Sequence, residues 1–323
     1  MKNGRLQTIN RDYRGNLVID GIFTNGDVKE KPPIGDVIKW KLSSNPQRRE
    51  KDNDSFRLKI LNNKNCFNTS DDMIVWLGHA SFLIRINGIS FLTDPCFNNL
   101  PSIKRLSPLP CAISEICNID YILISHGHRD HCDLPSINRI IEQNPQCELL
   151  VPLKMGSLFR GIKNTTFQEA GWFQQYNTSA DVSVVFLPSL HWHRRGLFDF
   201  NKILWGSFMI QARGLNIYFA GDTGYSKHFK TIRNIVGPVD IFIAPIGTYR
   251  PEYLMKMEHI NPEEAVRASN ELDADLLIPM HFGTYDLSNE PLGEPLRWLK
   301  KEATNLDGKI LDLAVGEVFS LQP

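Results

Sequence analysis

The segment Tyr121–Ile122–Leu123–Ile124–Ser125–His126–Gly127–His128–Arg129–Asp130–His131 joins a short apolar run to a dense set of polar ligands. Its first four residues read as a buried β-strand. Immediately behind them, His126, His128, Asp130 and His131 fall within six residues. Imidazole and carboxylate are ligand types that zinc accepts, and two pairs of them point to two cations rather than one. Nine histidines in 323 residues would not cluster this way by chance.

Three more candidates follow apolar runs elsewhere. His191 comes after Val184–Pro188, Asp222 after Ile217–Ala220, and His281 after Leu276–Met280. Strand ends on one edge of a sheet converge on a shared cleft, where α/β folds place their chemistry. The inventory is five histidines and two aspartates. That number suits two metals with positions left open to solvent.

The rest of the chain supplies the frame. Residues 1–70 are rich in Gly and Asn, and we expect an irregular arm packed on the domain formed by residues 71–323, with a short helix at Ile34–Leu42. From Met73 the runs Ile74–Leu77, Phe82–Ile86 and Ile89–Thr93 read as strands, with Asn87–Gly88 as a hairpin turn. A strand at Tyr121–Ser125, a helix at Leu134–Gln143 and a strand at Glu148–Pro152 follow. The second half repeats the texture: strands at Ser183–Leu187, Ser207–Ala212, Ile217–Ala220, Ile241–Pro245 and Leu276–Met280, and helices from Asn261 to Leu272 and at Pro295–Ala303. Asn261 is the N-cap, with Pro262 at the first helical position and Glu263 and Glu264 in the first turn. Two such rounds predict two stacked sheets with helices outside, an α/β sandwich.

Composition excludes several functions. Lys+Arg and Asp+Glu are equal at 36 each, so no bulk charge gathers nucleic acid. The basic patch Arg48–Lys51 reads as a solvated, flexible stretch. No run approaches the ~18 apolar residues of a spanning helix, and residues 1–15 have no apolar core of a secretion signal. The six cysteines lack CxxC spacing and read as reduced thiols of a cytoplasmic protein, Cys132 as a small packing residue.

The ligand cluster and its flanks resemble a known family. HGHRDH, His191, the Asp222 of GDTG and His281 resemble the metallo-β-lactamase superfamily, whose four-layer αββα sandwich carries a binuclear zinc site. LGHASFLI (77–84), FLTDPCF (91–97), LPSLHWHRR (187–195), FAGDTGY (219–225), PIGTYRPEYLMKMEHINPEEAVR (245–267) and HFGTYDLSNEP (281–291) resemble its N-acyl-phosphatidylethanolamine-hydrolysing phospholipase D members. The resemblance covers residues 73–300 and only weakly the first 70. It implies two Zn2+ per chain: His126, His128 and His191 on one, Asp130, His131 and His281 on the other, and Asp222 bridging. The carboxylate bridge leaves iron or manganese as alternatives. Metals so paired share a hydroxide nucleophile, with Asp130 passing a proton toward the leaving group. The implied reaction releases N-acylethanolamine and phosphatidic acid, with at most peripheral membrane contact and a homodimer as the assembly. A lactone or other soluble phosphodiester is the alternative substrate, and a non-catalytic binding protein on the same fold is the alternative of another class. A lactamase role does not fit, because Asp222 stands where many penicillin-hydrolysing members carry Cys.

The resemblance also marks residues around the ligands. Asp94 matches a carboxylate that orients a ligating imidazole, against the reading of a turn-forming Asp-Pro. His79 reads as a supporting or packing residue, and His259 matches a histidine near the substrate phosphate. Tyr225, Tyr249 and Thr284 are candidates to line the cleft, whereas His193 and His228 read as exposed or packing residues. The loop Arg194–Phe200 mixes cations with aromatics and could grip a headgroup or pack locally.

Overall fold

Each half of the chain builds most of one sheet, and the two sheets face each other. The computed structural model describes residues 1–26 and 34–321. The first sheet has seven strands in the spatial order Val318–Ser320, Met73–Gly78, Ser81–Ile86, Ile89–Thr93, Tyr121–Leu123, Glu148–Pro152 and Thr166–Ala170. The second has eight: Gln7–Thr8, Gln174–Gln175, Ser183–Leu187, Ser207–Ala212, Leu215–Phe219, Ile241–Pro245, Leu276–Met280 and Lys309–Ile310. Both sheets begin with antiparallel pairs and end with parallel ones. With helices outside, this is the four-layer αββα sandwich.

Strand Met73–Gly78 shows why these apolar runs lie inside. Ile74 and Trp76 face the second sheet, while Met73, Val75 and Leu77 face outward into a separate cluster. Because both faces are covered, the run is continuously apolar rather than alternating. The outer cluster is closed by helix Leu134–Gln143, which presents Ile137, Ile140 and Ile141 at helical spacing. Cys132 packs in the same cluster. Asn87 and Gly88 both have φ above zero, as a two-residue type I′ hairpin requires. Helix Pro262–Glu271 starts with a reciprocal cap. The Asn261 side chain accepts from the Glu264 N–H at 2.9 Å, and the Glu264 carboxylate accepts from the Asn261 N–H at 3.1 Å.

Boundaries differ slightly from those read off the sequence. The strand from Tyr121 ends at Leu123, because Asp94 takes up Ser125 and turns the chain. The predicted Ile217–Ala220 strand is Leu215–Phe219, and the last helix is Glu294–Glu302. Helix Ile34–Leu42 is present. Arg48–Lys51 is solvated, as expected, but not a loose stretch. It lies in helix Arg48–Asp52, and Lys51 is held by Asp286 and the Ser288 carbonyl. Residues 1–26 are not wholly irregular either: Gln7–Thr8 extends the second sheet, and Val18–Ile19 pairs with Ile22–Phe23.

Candidate metal centre

All seven ligand-type side chains converge at one edge of the sandwich. His126 and His128 lie on the loop after Tyr121–Leu123, and the His126 Nε2 and His128 Nδ1 atoms are 3.0 Å apart. His191, at the end of Ser183–Leu187, brings its Nε2 to 3.2 Å from His128 Nδ1. Beside this trio, the Nε2 atoms of His131 and His281 are 3.1 Å apart, with Asp130 Oδ2 at 3.6 and 3.5 Å from them. Asp222 stands between the two sets. Its Oδ2 is 3.1 Å from His131 and 3.9 Å from His126, and its Oδ1 is 3.2 Å from His281.

Those spacings fit a cation. Ligands ~2.0–2.1 Å from a tetrahedral metal lie about 3.3 Å from one another. The outer nitrogen of His131, Nδ1, sits 2.7 Å from Asp94 Oδ2 and donates to it, which turns Nε2 inward. Burial is outweighed there by Asp222 and Asp130, which hold His131 well above ordinary imidazole values until a dication replaces the proton. His281 is fixed at Nδ1 by Thr248 Oγ1 at 3.3 Å, His126 at Nδ1 by Ser125 Oγ at 3.0 Å, and His191 at Nδ1 by the Glu258 carbonyl at 3.1 Å. Outer partners of this kind orient metal-binding imidazoles.

Protonation follows the same plan. Burial pushes Asp222 upward, but His131, His281 and His259 outweigh it and hold the carboxylate well below its ordinary range. Asp130 behaves likewise. Burial holds His126 and His191 well below ordinary imidazole values. Ionised carboxylates and neutral imidazoles are the forms that bind metal. For His281 burial is outweighed by Asp222 and Asp130, which raise it to about 9; a bound dication would replace that proton.

Backbone close to its limits brings the ligands together. His79, Asp94, Thr248 and His281 all have φ between 33° and 66°. Non-glycine residues there each cost of order 1–3 kcal/mol and cluster at functional sites. Glu290, buried, accepts from the N–H groups of Thr248 at 2.6 Å and Arg250 at 3.2 Å, and so holds this turn. Two glycines permit close approach. A Cβ on Gly127 would lie 2.1 Å from His193 Cε1, and one on Gly221 would lie 2.7 Å from Ser125 Cβ.

The surrounding candidates divide. Asp94 is buried, accepts from Ser125 N at 2.7 Å and Ser125 Oγ at 2.5 Å, and orients His131. His79 places its Nε2 3.2 Å from Asp130 Oδ2, and its N–H donates to Thr284 Oγ1 at 2.8 Å. Thr284 therefore braces His79. His259 is buried with Nδ1 3.7 Å from Asp222 Oδ2. Tyr249 and Tyr225 direct their hydroxyls to Glu294 and Glu271 on the outer helices, rather than to the cluster. His193 and His228 are buried, which removes the exposed reading for both. His193 lies parallel to His128 at 6.3 Å, and His228 packs on Phe229 at 4.0 Å. Sequence reasoning missed Ser125, Thr248, Glu258 and Glu290. Only Ser125, adjoining the motif, carried a local signal.

Exposed apolar side chains lie on segments that adjoin the ligands. The three most exposed large hydrophobic residues are Phe198 at 85%, Leu42 at 83% and Leu197 at 78%. Leu197 and Phe198 lie on the loop after His191, with Arg194. Leu42 ends the helix whose Trp40 bonds Asn289 in the segment after His281. Behind the approach to His191, a cleft of about 500 Å³ is lined by Tyr13, Trp172, Phe173, Pro188 and Leu190.

Comparison with known proteins agrees with this geometry. Residues 90–282 match the beta-lactamase superfamily domain. N-acyl-phosphatidylethanolamine-hydrolyzing phospholipase D 1 of Caenorhabditis elegans is 34% identical over 245 residues, covering 70% of this chain and 68% of the nematode protein. The mitochondrial N-acyl-phosphatidylethanolamine-hydrolyzing phospholipase D of Saccharomyces cerevisiae is 34% identical over 231 residues, covering 68% of this chain but 49% of the yeast protein. Among solved structures, Igni18, a metallo hydrolase from Ignicoccus hospitalis, superposes with a TM-score of 0.57 at 18% identity over 77% of this chain and 98% of its own.

Proposed function

The chain belongs to the β-lactamase superfamily, and from that membership we propose a metal-dependent phosphodiester hydrolase of the phospholipase D type. Its substrate in this reading is N-acyl-phosphatidylethanolamine, split by water into phosphatidic acid and N-acylethanolamine. The observation that carries it is Asp222, whose Oδ2 lies 3.1 Å from His131 of one ligand set and 3.9 Å from His126 of the other. A carboxylate so shared suits two adjacent dications better than one. His126, His128 and His191 form one ligand set, and Asp130, His131 and His281 the other. Two zinc ions held there would supply activation of water at neutral pH and neutralisation of phosphoryl charge.

The chain's own residues do the rest. Asp94, Ser125, Thr248 and the Glu258 carbonyl fix the imidazoles before substrate arrives. Asp130, ionised, with its side chain 16% exposed and braced by His79, takes the proton of the attacking water and passes it to the leaving alkoxide of the ethanolamide. His259, beside Asp222, donates to a phosphoryl oxygen. The names of the nematode and yeast relatives support the lipid, and so do the exposed Leu197 and Phe198, with Arg194, on the loop after His191. These side chains suit the surface of a micelle or bilayer as a peripheral contact. Among the described residues, no helix is long and apolar enough to cross a membrane.

The test is mass-spectrometric detection of N-acylethanolamine from N-acyl-phosphatidylethanolamine micelles, with metal content measured on the same sample. Two metals per chain, product formation, and a rate that rises at the critical micelle concentration are expected. Two metals without lipid cleavage would refute the lipid and leave a soluble phosphodiester or lactone.

A further inference from the structure

At the end of the first sheet opposite the metal cluster lies a second polar cleft of about 680 Å³. It opens at the hairpin and at the start of Tyr121–Leu123, so the strands Ser81–Ile86 and Ile89–Thr93 separate it from the cluster by about 17 Å of extended chain. Its walls carry Asn68, Ser70, Asn118, Asp120 and Gln146, and in it stands Arg85.

Arg85 is only 3% exposed. Its Nε donates to Ser90 Oγ at 2.9 Å, and its Nη1 donates to the Cys66 carbonyl at 3.2 Å and to the Thr69 carbonyl. All three acceptors are neutral. Among the described residues, no carboxylate lies within 4.0 Å of the guanidinium. Burial pulls its pKa below the ordinary arginine value, and the pull of Asp120 and Asp71 does not restore it. A guanidinium buried without a counter-charge is unfavourable. Nε and Nη1 are satisfied, whereas Nη2 makes none of these bonds and remains for a ligand. The planar fork of arginine matches the oxygens of phosphate or carboxylate.

We propose that this cleft is an anion-binding site, in which Arg85 takes the phosphate or carboxylate group of a small hydrophilic molecule. The amides of Asn68, Asn118 and Gln146 and the hydroxyl of Ser70 suit a hydrogen-bonding body attached to that group. Asp120, whose Oδ2 accepts the Ser90 N–H at 2.8 Å, is the single carboxylate of the wall, and it favours a hydroxyl or ammonium next to the anion. The site is independent of the metal cluster and of the reaction proposed there.

Isothermal titration at fixed ionic strength tests the assignment, with inorganic phosphate in one arm and succinate in the other. Wild-type protein, Gln146→Glu and Arg85→Lys are compared after equal metal loading. Gln146 is exposed, so Gln146→Glu adds negative charge to the rim while leaving the fold and the metal content unchanged. Saturable binding of one equivalent of either anion is expected in the wild type, weakened at least tenfold in both variants. The arm that binds tells phosphate from carboxylate. Binding that Gln146→Glu leaves intact would place the anion elsewhere and overturn the proposal. Absence of saturable binding by both anions would also overturn it.

Discussion

Replacing Asp94 by Asn should weaken metal binding without disturbing the shape of the site. The side chain is fully buried and accepts three hydrogen bonds, two at Oδ2 from Ser125 Oγ and His131 Nδ1 and one at Oδ1 from Ser125 N. Asn can keep the bond from Ser125 N, but its amide then presents N–H where the imidazole N–H arrives. His131 must change tautomer, which turns a proton toward Asp222 Oδ2, 3.1 Å away. A hydrogen bond to a charged group is worth about 1.5–3 kcal/mol. At 1.36 kcal/mol per tenfold, that predicts roughly a 10–100-fold loss of affinity at the metal His131 serves, as for other outer-partner replacements. Competition for zinc with a chromophoric chelator measures it, alongside thermal unfolding in excess metal to show that the variant folds. A folded Asp94→Asn protein with zinc affinity within twofold of wild type would refute the orientation argument.

Gly127→Ala should lower the melting temperature by several degrees and reduce metal content, since the new Cβ would meet His193 Cε1 at 2.1 Å. Adding His193→Ala should restore part of both, and no recovery would show that the two positions do not compete for space. Thr248→Val removes the Oγ1 partner of His281 while keeping a β-branched shape, so metal affinity should fall several-fold and return with Thr248→Ser. Equal affinities across that series, measured by chelator competition, would dismiss Thr248 as a support. Asp222→Asn should lose metal and activity together, and intact two-metal occupancy by elemental analysis would refute its bridging role.

The site was legible because each ligand follows an apolar run, and such runs become strands ending at one edge. His126, His191, Asp222 and His281 needed only that rule and the ligand chemistry. Their supports were less visible. Glu290 acts on Thr248 from 42 residues away and through backbone N–H groups, which leave no mark on residue identity. Tyr249 follows Thr248 in sequence yet points to an outer helix, because neighbours on a turn project in different directions. His193 looked dispensable two residues past His191, but its burial depends on the glycine of a loop 66 residues earlier. The first 26 residues gave no strand periodicity. Gln7–Thr8 is two residues long and is fixed by pairing with Gln174–Gln175, and by the Gln174 side chain accepting from Asn3 N at 2.7 Å.

Those two distant pairings close the molecule crosswise. The sheet made mostly by the second half is edged by Gln7–Thr8, and the sheet made mostly by the first half is edged by Val318–Ser320. Each half alone would expose an unpaired rim of amides and carbonyls, prone to self-association. Neither sheet can therefore melt and leave the other intact, and unfolding should proceed as one cooperative event. On the ribosome, the first sheet waits for its edge until almost 250 further residues after Met73 have emerged. Such a high sequence separation predicts slow folding and a long interval in which a chaperone could hold the nascent chain.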